Sequence, residues 1–304
     1  IMYTFGIKHT TADNMTTMLQ GSQVGPTPTF FFDYSVKDLR RDITCCPFQW
    51  TKGVQTLQSF KSWSFGKLRY EWTNRMIPTG NDDGINRQYM RYADIVLMRA
   101  ELENELNGAS AAVPYLTKIR NRAFATSDRA TEVTAYVAEV ALSKEKMFQA
   151  IVDERAYEFA GELIRKADLI RWGMLKSKMD ETKNKMKAIV SLTDYDSKHP
   201  YSQLSGHAYY KMSAYTWTRN GIETTEKDAK LNLYGLNYGE MDINPEGYTE
   251  FSDSKGEAST WIKDNALEDV IDYLYVRDPD KYQYWPIFNV NLNDNPNLSN
   301  YEWY

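Results

Sequence analysis

The segment RYADIVLMRAELENELNGASAAVPYLTKIRNRAF, residues 91–124, carries an apolar rhythm of threes and fours. Ile95, Met98, Leu102 and Leu106 fall on one helical face, and Ala93, Val96 and Ala100 form a second apolar edge. A helix that is apolar on two sides packs between neighbours. Gly108 stands where a helix-ending glycine belongs, Ser110 is positioned to cap a second helix, and Pro114 is tolerated in the first turn. Ala112, Leu116, Ile119 and Ala123 continue at helical steps. The spacing predicts an αα-hairpin of 34 residues, the length of one tetratricopeptide unit, with small residues where the helices cross. Val96 and Glu103 stand where the repeat consensus has Trp and Tyr, so the repeat is degenerate.

Beyond it, residues 125–143 read as a polar connection. Ser143 then caps KEKMFQAIVDERAYEFAG, where Phe148, Ile151, Val152, Arg155 and Phe159 share a face and Gly161 breaks or bends the helix. Leu169, Trp172, Leu175, Met179 and Met186 then run along a third or fourth helix. The aromatic residues segment the chain: 14 in residues 1–90, 8 in 91–190 and 20 in 191–304. The expected class is therefore mainly α, a tetratricopeptide-like helix-pair scaffold (an α-α superhelix) over 88–188. It is wrapped by aromatic-rich irregular flanks over 1–87 and 189–304 with few short strands. Turn signals at GPTP (25–28), TGNDDG (79–84), NPEG (244–247) and DNPN (294–297) support the irregular reading. Strands are expected near 29–34 and 60–72.

Ordinary apolar content, at 42% of 304 residues, and only two cysteines exclude disordered, collagen-like and disulfide-scaffold classes. Cys45 and Cys46 are adjacent, closer than ordinary disulfide geometry accepts. A net charge of −5 argues against a nucleic-acid binder. No apolar run is long enough for a membrane helix. His9, His199 and His207 share no metal-ligand spacing, and HExxH, GxSxG, GxGxxG and the Walker loop are absent. Asp242, Asn244, Glu246, Tyr248, Glu250 and Asp253, with Gly247, have the spacing of a twelve-residue calcium loop. Glu246 and Asp253 are the wrong residues at their positions, Pro245 interrupts it, and no helices flank it. A polar surface loop is the expectation, and no metal or cofactor is assigned.

With the helical motifs in view, YADIVLMRAELENEL (92–106) followed by IRNRA (119–123) resembles the SusD/RagB family of outer-membrane nutrient-binding proteins. DERAYEFAGELIRKADLIRWG (153–173) resembles that family's signature, and DLRRD (38–42), FGKLR (65–69), YWPI (284–287) and NPNLSN (295–300) follow in family order. Ala156 and Tyr157 replace a usually basic position and its neighbour, and Phe288 stands where a second proline is common. The resemblance implies a C-terminal portion of a longer, non-enzymatic cell-surface lipoprotein of the outer membrane, lipid-anchored through an N-terminal part outside this chain. Such a protein captures oligosaccharides, or sometimes peptides, and delivers them to a SusC-like TonB-dependent transporter. A helical-repeat interaction scaffold without glycan affinity, or a peptide-binding relative, is the alternative, and a glycoside hydrolase a third reading. The signature residues read as structural: Glu154 and Glu158 lie one turn apart, Asp168 and Arg171 are spaced for an ion pair, and Phe159 and Trp172 suit the core.

Sugar rings stack their C–H faces on flat aromatic rings, so the ligand contacts are sought in the aromatic segment ahead of the helices. Trp50 is the first choice, because Gln49, Thr51 and Lys52 offer hydroxyl partners beside it and Gly53 allows a loop. Trp63 and Phe31 follow, in SWSF and FFF contexts that also suit inward-facing strands.

Overall fold

The computed structural model describes residues 3–4, 25–51, 54–58, 63–67, 86–87, 90–215, 218–219, 222–223, 228–240, 243–251, 271–272, 274–284 and 286–300. The first flank holds β1 (Tyr3–Thr4), α1 (Pro28–Asp33), α2 (Arg41–Thr44), β2 (Cys45–Cys46), β3 (Phe48–Thr51), β4 (Val54–Leu57), β5 (Ser64–Phe65) and β6 (Asn86–Arg87). The helical centre is α3 (Tyr92–Asn107), α4 (Ala109–Ala123), α5 (Tyr136–Val140), α6 (Lys144–Phe159), α7 (Arg165–Arg171) and α8 (Leu175–Val190). Then come β7 (Tyr209–Tyr215), β8 (Thr218–Arg219), β9 (Ile222–Glu223), β10 (Asp228–Tyr234), β11 (Thr249–Glu250) and a last helix, α9 (Asn289–Asp294).

The helix-pair scaffold stands as read, but α3 buries only one of its two apolar faces. Ala93, Val96, Leu97 and Ala100 are buried against α4 and α6, while Ile95, Leu102 and Leu106 are exposed. Small residues let the backbones approach, and the fully buried Leu97, Leu116, Met147 and Ile151 fill the remaining space. Burial of each such side chain contributes about 1.5–3 kcal/mol. Gly108 adopts φ 86°, a left-handed value that ends α3 without a Cβ penalty. It also precedes α4 directly, so Ser110 lies inside the first turn and makes no cap. Ser143 does cap α6, accepting from the Lys146 amide at 3.1 Å.

Three local expectations are corrected. Residues 29–34 form most of α1 rather than a strand, because Pro28 sits in the first turn and presets a helical φ. The supposed connection at 125–143 contains a π-turn over Ala130–Ala135 running into α5, and its Val133, Val137 and Val140 are buried in the α3–α4 core. Gly161 (φ 78°) ends α6 as read, but the run from Leu169 to Met186 is not one helix, since Gly173 (φ 64°) separates α7 from α8.

The signature residues build a charged lattice inside the scaffold. Arg155 is 4% exposed and bonds Asp94 at 2.7 Å and Asp168 at 2.7 and 3.1 Å, tying α6 to α3 and α7. Glu154 accepts from Arg40 at 2.7 Å and Arg120 at 2.8 Å, and Glu158 from Arg40, Arg91 and Arg122. Arg171 meets Asp168 at 3.0 Å, Phe159 is in the core, and Trp172 is half-buried with its indole N–H on Glu101. Each buried carboxylate thus keeps opposite charge and hydrogen bonds around it, which makes its burial tolerable.

The strands are short, but both flanks share one five-stranded sheet in the order β11-β7-β10-β4-β3. β7 and β10 pair antiparallel from Tyr209↔Tyr234 to Tyr215↔Asp228, and β3–β4 is a hairpin lying parallel to β10 through Ala229↔Val54. The Gln55 side chain accepts from the Leu231 amide at 2.9 Å and fixes that join. A second core of Phe31, Phe32, Tyr34, Trp63, Met186, Ile189, Tyr201 and Leu236 seals sheet and flanks onto α8. Cys45 and Cys46, in β2, are fully buried, and burial pushes the Cys45 thiol well up from its usual pKa.

Candidate functional site

The main cavity among the described residues is a cleft of about 840 Å³ bounded by α1, α6, α8 and the loops around residues 196–199 and 236–238. One end of it is made by α1. The Tyr34 hydroxyl donates to the Tyr157 carbonyl at 2.9 Å, and the Tyr157 hydroxyl donates back to the Asp33 carbonyl at 2.9 Å. This reciprocal pair clamps α1 to α6 across more than a hundred residues of sequence. Phe30, Tyr34 and Tyr157 form an aromatic cluster there, with Phe30–Tyr34 centroids 5.1 Å apart and edge-on. Burial raises the Tyr157 phenol well above its ordinary pKa, so it remains a donor.

Asp33 anchors the same end. Its Oδ1 lies 2.8 Å from Lys185 Nζ and 2.9 Å from His199 Nε2, while His199 Nδ1 is 2.7 Å from Asp196. Burial opposes the Lys185 charge, but Asp33 and Glu181 outweigh it and raise the ammonium's pKa. Buried Tyr201 and half-buried Tyr238 stand next to this group, and their hydroxyls have no partner among the described residues. Polar atoms in that situation accept a water or a ligand hydroxyl readily.

Adjoining it along α6, where Asp153 and Tyr157 lie one turn apart, the other end is made by α5, α6, α7 and α8. Half-buried Tyr136, Gln149, Asp153, Arg165 and Lys178 line it. Burial pushes the Asp153 carboxyl up, against the attraction of Lys178 at 3.8 Å and the Gln149 hydrogen bond at 2.8 Å. Burial also pulls the Arg165 guanidinium down, and the fields of Asp153 and Asp168 offset only part of that. The cleft therefore offers partly exposed rings beside an amide, a carboxyl and cations. Rings and hydrogen-bonding groups in one concave surface suit a hydroxyl-rich ligand.

Two of the three aromatic residues expected to meet ligand lie in the second core. Trp63 and Phe31 are 2% and 3% exposed and pack edge-to-face at 5.2 Å in the second core. Phe31 borders the cleft, but neither ring offers an open face for a sugar to stack on. The Trp50 backbone lies in the β3–β4 hairpin opposite Gln55, and its side chain lies outside the described residues. Asp33, Asp153, Arg165, Lys185 and His199 were not singled out for ligand contact, because they converge from segments up to 166 positions apart. One signal was present: Tyr157, and Ala156 beside it, are where the chain departs from the family pattern, and both line the cleft.

No group of three or more His, Cys, Asp or Glu among the described residues could hold a metal. Asp242 and Asp253 of the calcium-like string lie outside the described residues. No helix among the described residues is long and apolar enough to cross a membrane.

The SusD family matches residues 56–304. SusD-like protein P25 of Formosa agariphila is 48% identical over 90 residues, which are 30% of this chain and 16% of that protein. A SusD homolog from Bacteroides thetaiotaomicron, known from a crystal structure, superposes with a TM-score of 0.46 at 22% identity. That match covers 57% of this chain and 37% of that one. A SusD superfamily protein from Bacteroides vulgatus gives a TM-score of 0.32 at 26% identity, over 47% and 26% of the two chains. The chain thus spans 16% of the sequence relative and 37% of the first structural one.

Proposed function

Since this chain belongs to the SusD family, we propose that it serves nutrient uptake by capturing oligosaccharides at the cell surface and passing them to a SusC-like, TonB-dependent transporter in the outer membrane. Capture is by binding, without chemistry on the sugar. The observation that carries the reading is the cleft, where the half-buried rings of Phe30, Tyr136 and Tyr157 stand beside Gln149, Asp153 and Arg165. Stacking faces and directional hydrogen-bond partners on a rigid helical frame are what a glycan needs. Trp50, on the β3–β4 hairpin, is a further proposed contact.

Affinity electrophoresis of the intact protein through gels containing single polysaccharides tests the capture step. Retardation by at least one polysaccharide is expected, and free migration through all of them would sink the reading. Co-purification of a TonB-dependent transporter with the tagged protein from outer membranes tests the delivery step. A partner-scaffold reading has one observation in its favour, the exposed Ile95, Leu102 and Leu106 on α3. Capture of the transporter without any glycan retardation would select it.

A further inference from the structure

Three arginines line the cleft among the described residues, and two have their charge met by the fold. Arg120 bonds Glu154 at 2.8 Å, and Arg41 meets Asp42 at 3.0 Å and Asn237 at 2.8 Å. Arg165 differs. Its Nη1 donates to the Val152 carbonyl at 2.8 Å, while Nε and Nη2 make no hydrogen bond, and no carboxylate lies within ion-pair distance, among the described residues. A guanidinium cannot shed its proton in a protein, so at the start of α7 it carries a charge that the nearby Asp153 and Asp168 feel but do not pair with directly. Two unengaged N–H donors in one plane are the geometry that meets a carboxylate or a sulfate two oxygens at a time.

We infer that the cleft recognises the acidic unit of a charged glycan, with the Arg165 fork holding a uronate carboxylate or a sulfate ester while the sugar ring lies among Phe30, Tyr136 and Tyr157. The inference rests on the capture reading above and adds the ligand's charge. Lys178 is the second cation at this end, held by Glu181 at 2.8 Å. Asp153 opposes an incoming anion, and Lys178 at 3.8 Å and the Gln149 amide at 2.8 Å draw on part of its charge. Half-burial of Arg165 strengthens the attraction, because water screens it less there than at the surface.

Titration calorimetry of the intact protein with neutral, uronate-containing and sulfated oligosaccharides of matched length tests this. Maltoheptaose, oligogalacturonate and carrageenan oligosaccharides serve as probes. Tighter binding of an acidic probe is expected, weakening as salt rises, and the two acidic arms separate carboxylate from sulfate. Arg165→Gln should lower the ratio of acidic to neutral affinity at least about tenfold. Should that variant fail to fold, Asp153→Asn carries the test and should raise the same ratio severalfold. Neutral probes bound as tightly as acidic ones, or a ratio that neither substitution moves, would overturn the inference and leave capture standing. Binding of no oligosaccharide at all would overturn both.

Discussion

Arg155 holds Asp94 and Asp168 with almost no water around it. Arg155→Met keeps much of the volume but strands Asp94 in the core and leaves Asp168 only Arg171, so a loss of about 3–5 kcal/mol is expected. The urea midpoint measures it, and a midpoint near wild type would show that the lattice contributes little. Glu158 responds to pH. Burial, its largest influence, pushes the carboxyl up, but the Arg91 hydrogen bond and the charges of Arg40, Arg91 and Arg122 outweigh it and hold it below the usual range. A depressed carboxylate stabilises the fold above its unfolded value, about 4.3 for glutamate, and that stability is lost as pH falls through the folded value. Melting temperature should therefore be level from pH 7 to about 5 and fall on further acidification. In Glu158→Gln the fall should be shallower, and an unchanged slope would assign it to other groups. At the ligand, Trp50→Ala should weaken glycan binding by about 1–3 kcal/mol, as loss of one stacking ring does elsewhere. Unchanged affinity in calorimetry removes Trp50 from the site.

Between elements, two glycines with positive φ make opposite use of their missing Cβ. A Cβ on Gly108 would meet nothing within 4 Å, so Gly108→Ala costs only the strain of its positive-φ, extended-ψ backbone, about 1–3 kcal/mol. A Cβ on Gly161 would come within 2.9 Å of the Phe65 ring, close to the root of that side chain. Gly161→Ala therefore carries positive-φ strain of its own plus an overpacking cost of about 1–3 kcal/mol. Thermal melts of the two variants should rank Gly161→Ala as the more damaging, and the reverse order would mean that Phe65 yields freely. The contrast also shows what a sequence can disclose. Both glycines read correctly as helix ends, because a helix end is a local event. The face that α3 buries did not, because Ile95, Leu102 and Ala93, Val96, Ala100 both satisfy the helical period, and only the partner helix chooses between them. The segment that became α5 was hidden by threonines and β-branched residues that propensity assigns elsewhere, and contact with the α3–α4 core overrides that preference.

Over the whole molecule, the helical scaffold was legible and the sheet was not. Strands pair by neighbours in space, and the Gln55–Leu231 join spans 176 positions. The cleft shares that property, since Asp33 meets His199 only after both flanks fold back on α8. Contacts so distant in sequence are slow to form, because loop closure is unfavourable until they reward it.

Cys45 and Cys46, fully buried in β2 and paired with the neighbouring strand β5, turn this closure into something that can be timed. A thiol reagent reaches them only while the first flank is detached. In the intact protein the labelling rate at saturating reagent should report how often that flank lifts, and glycan binding in the cleft below should slow it. Immediate labelling of both thiols would mean that the seal is open in solution. The adjacent pair then acts as a clock for the molecule's breathing, readable by mass alone.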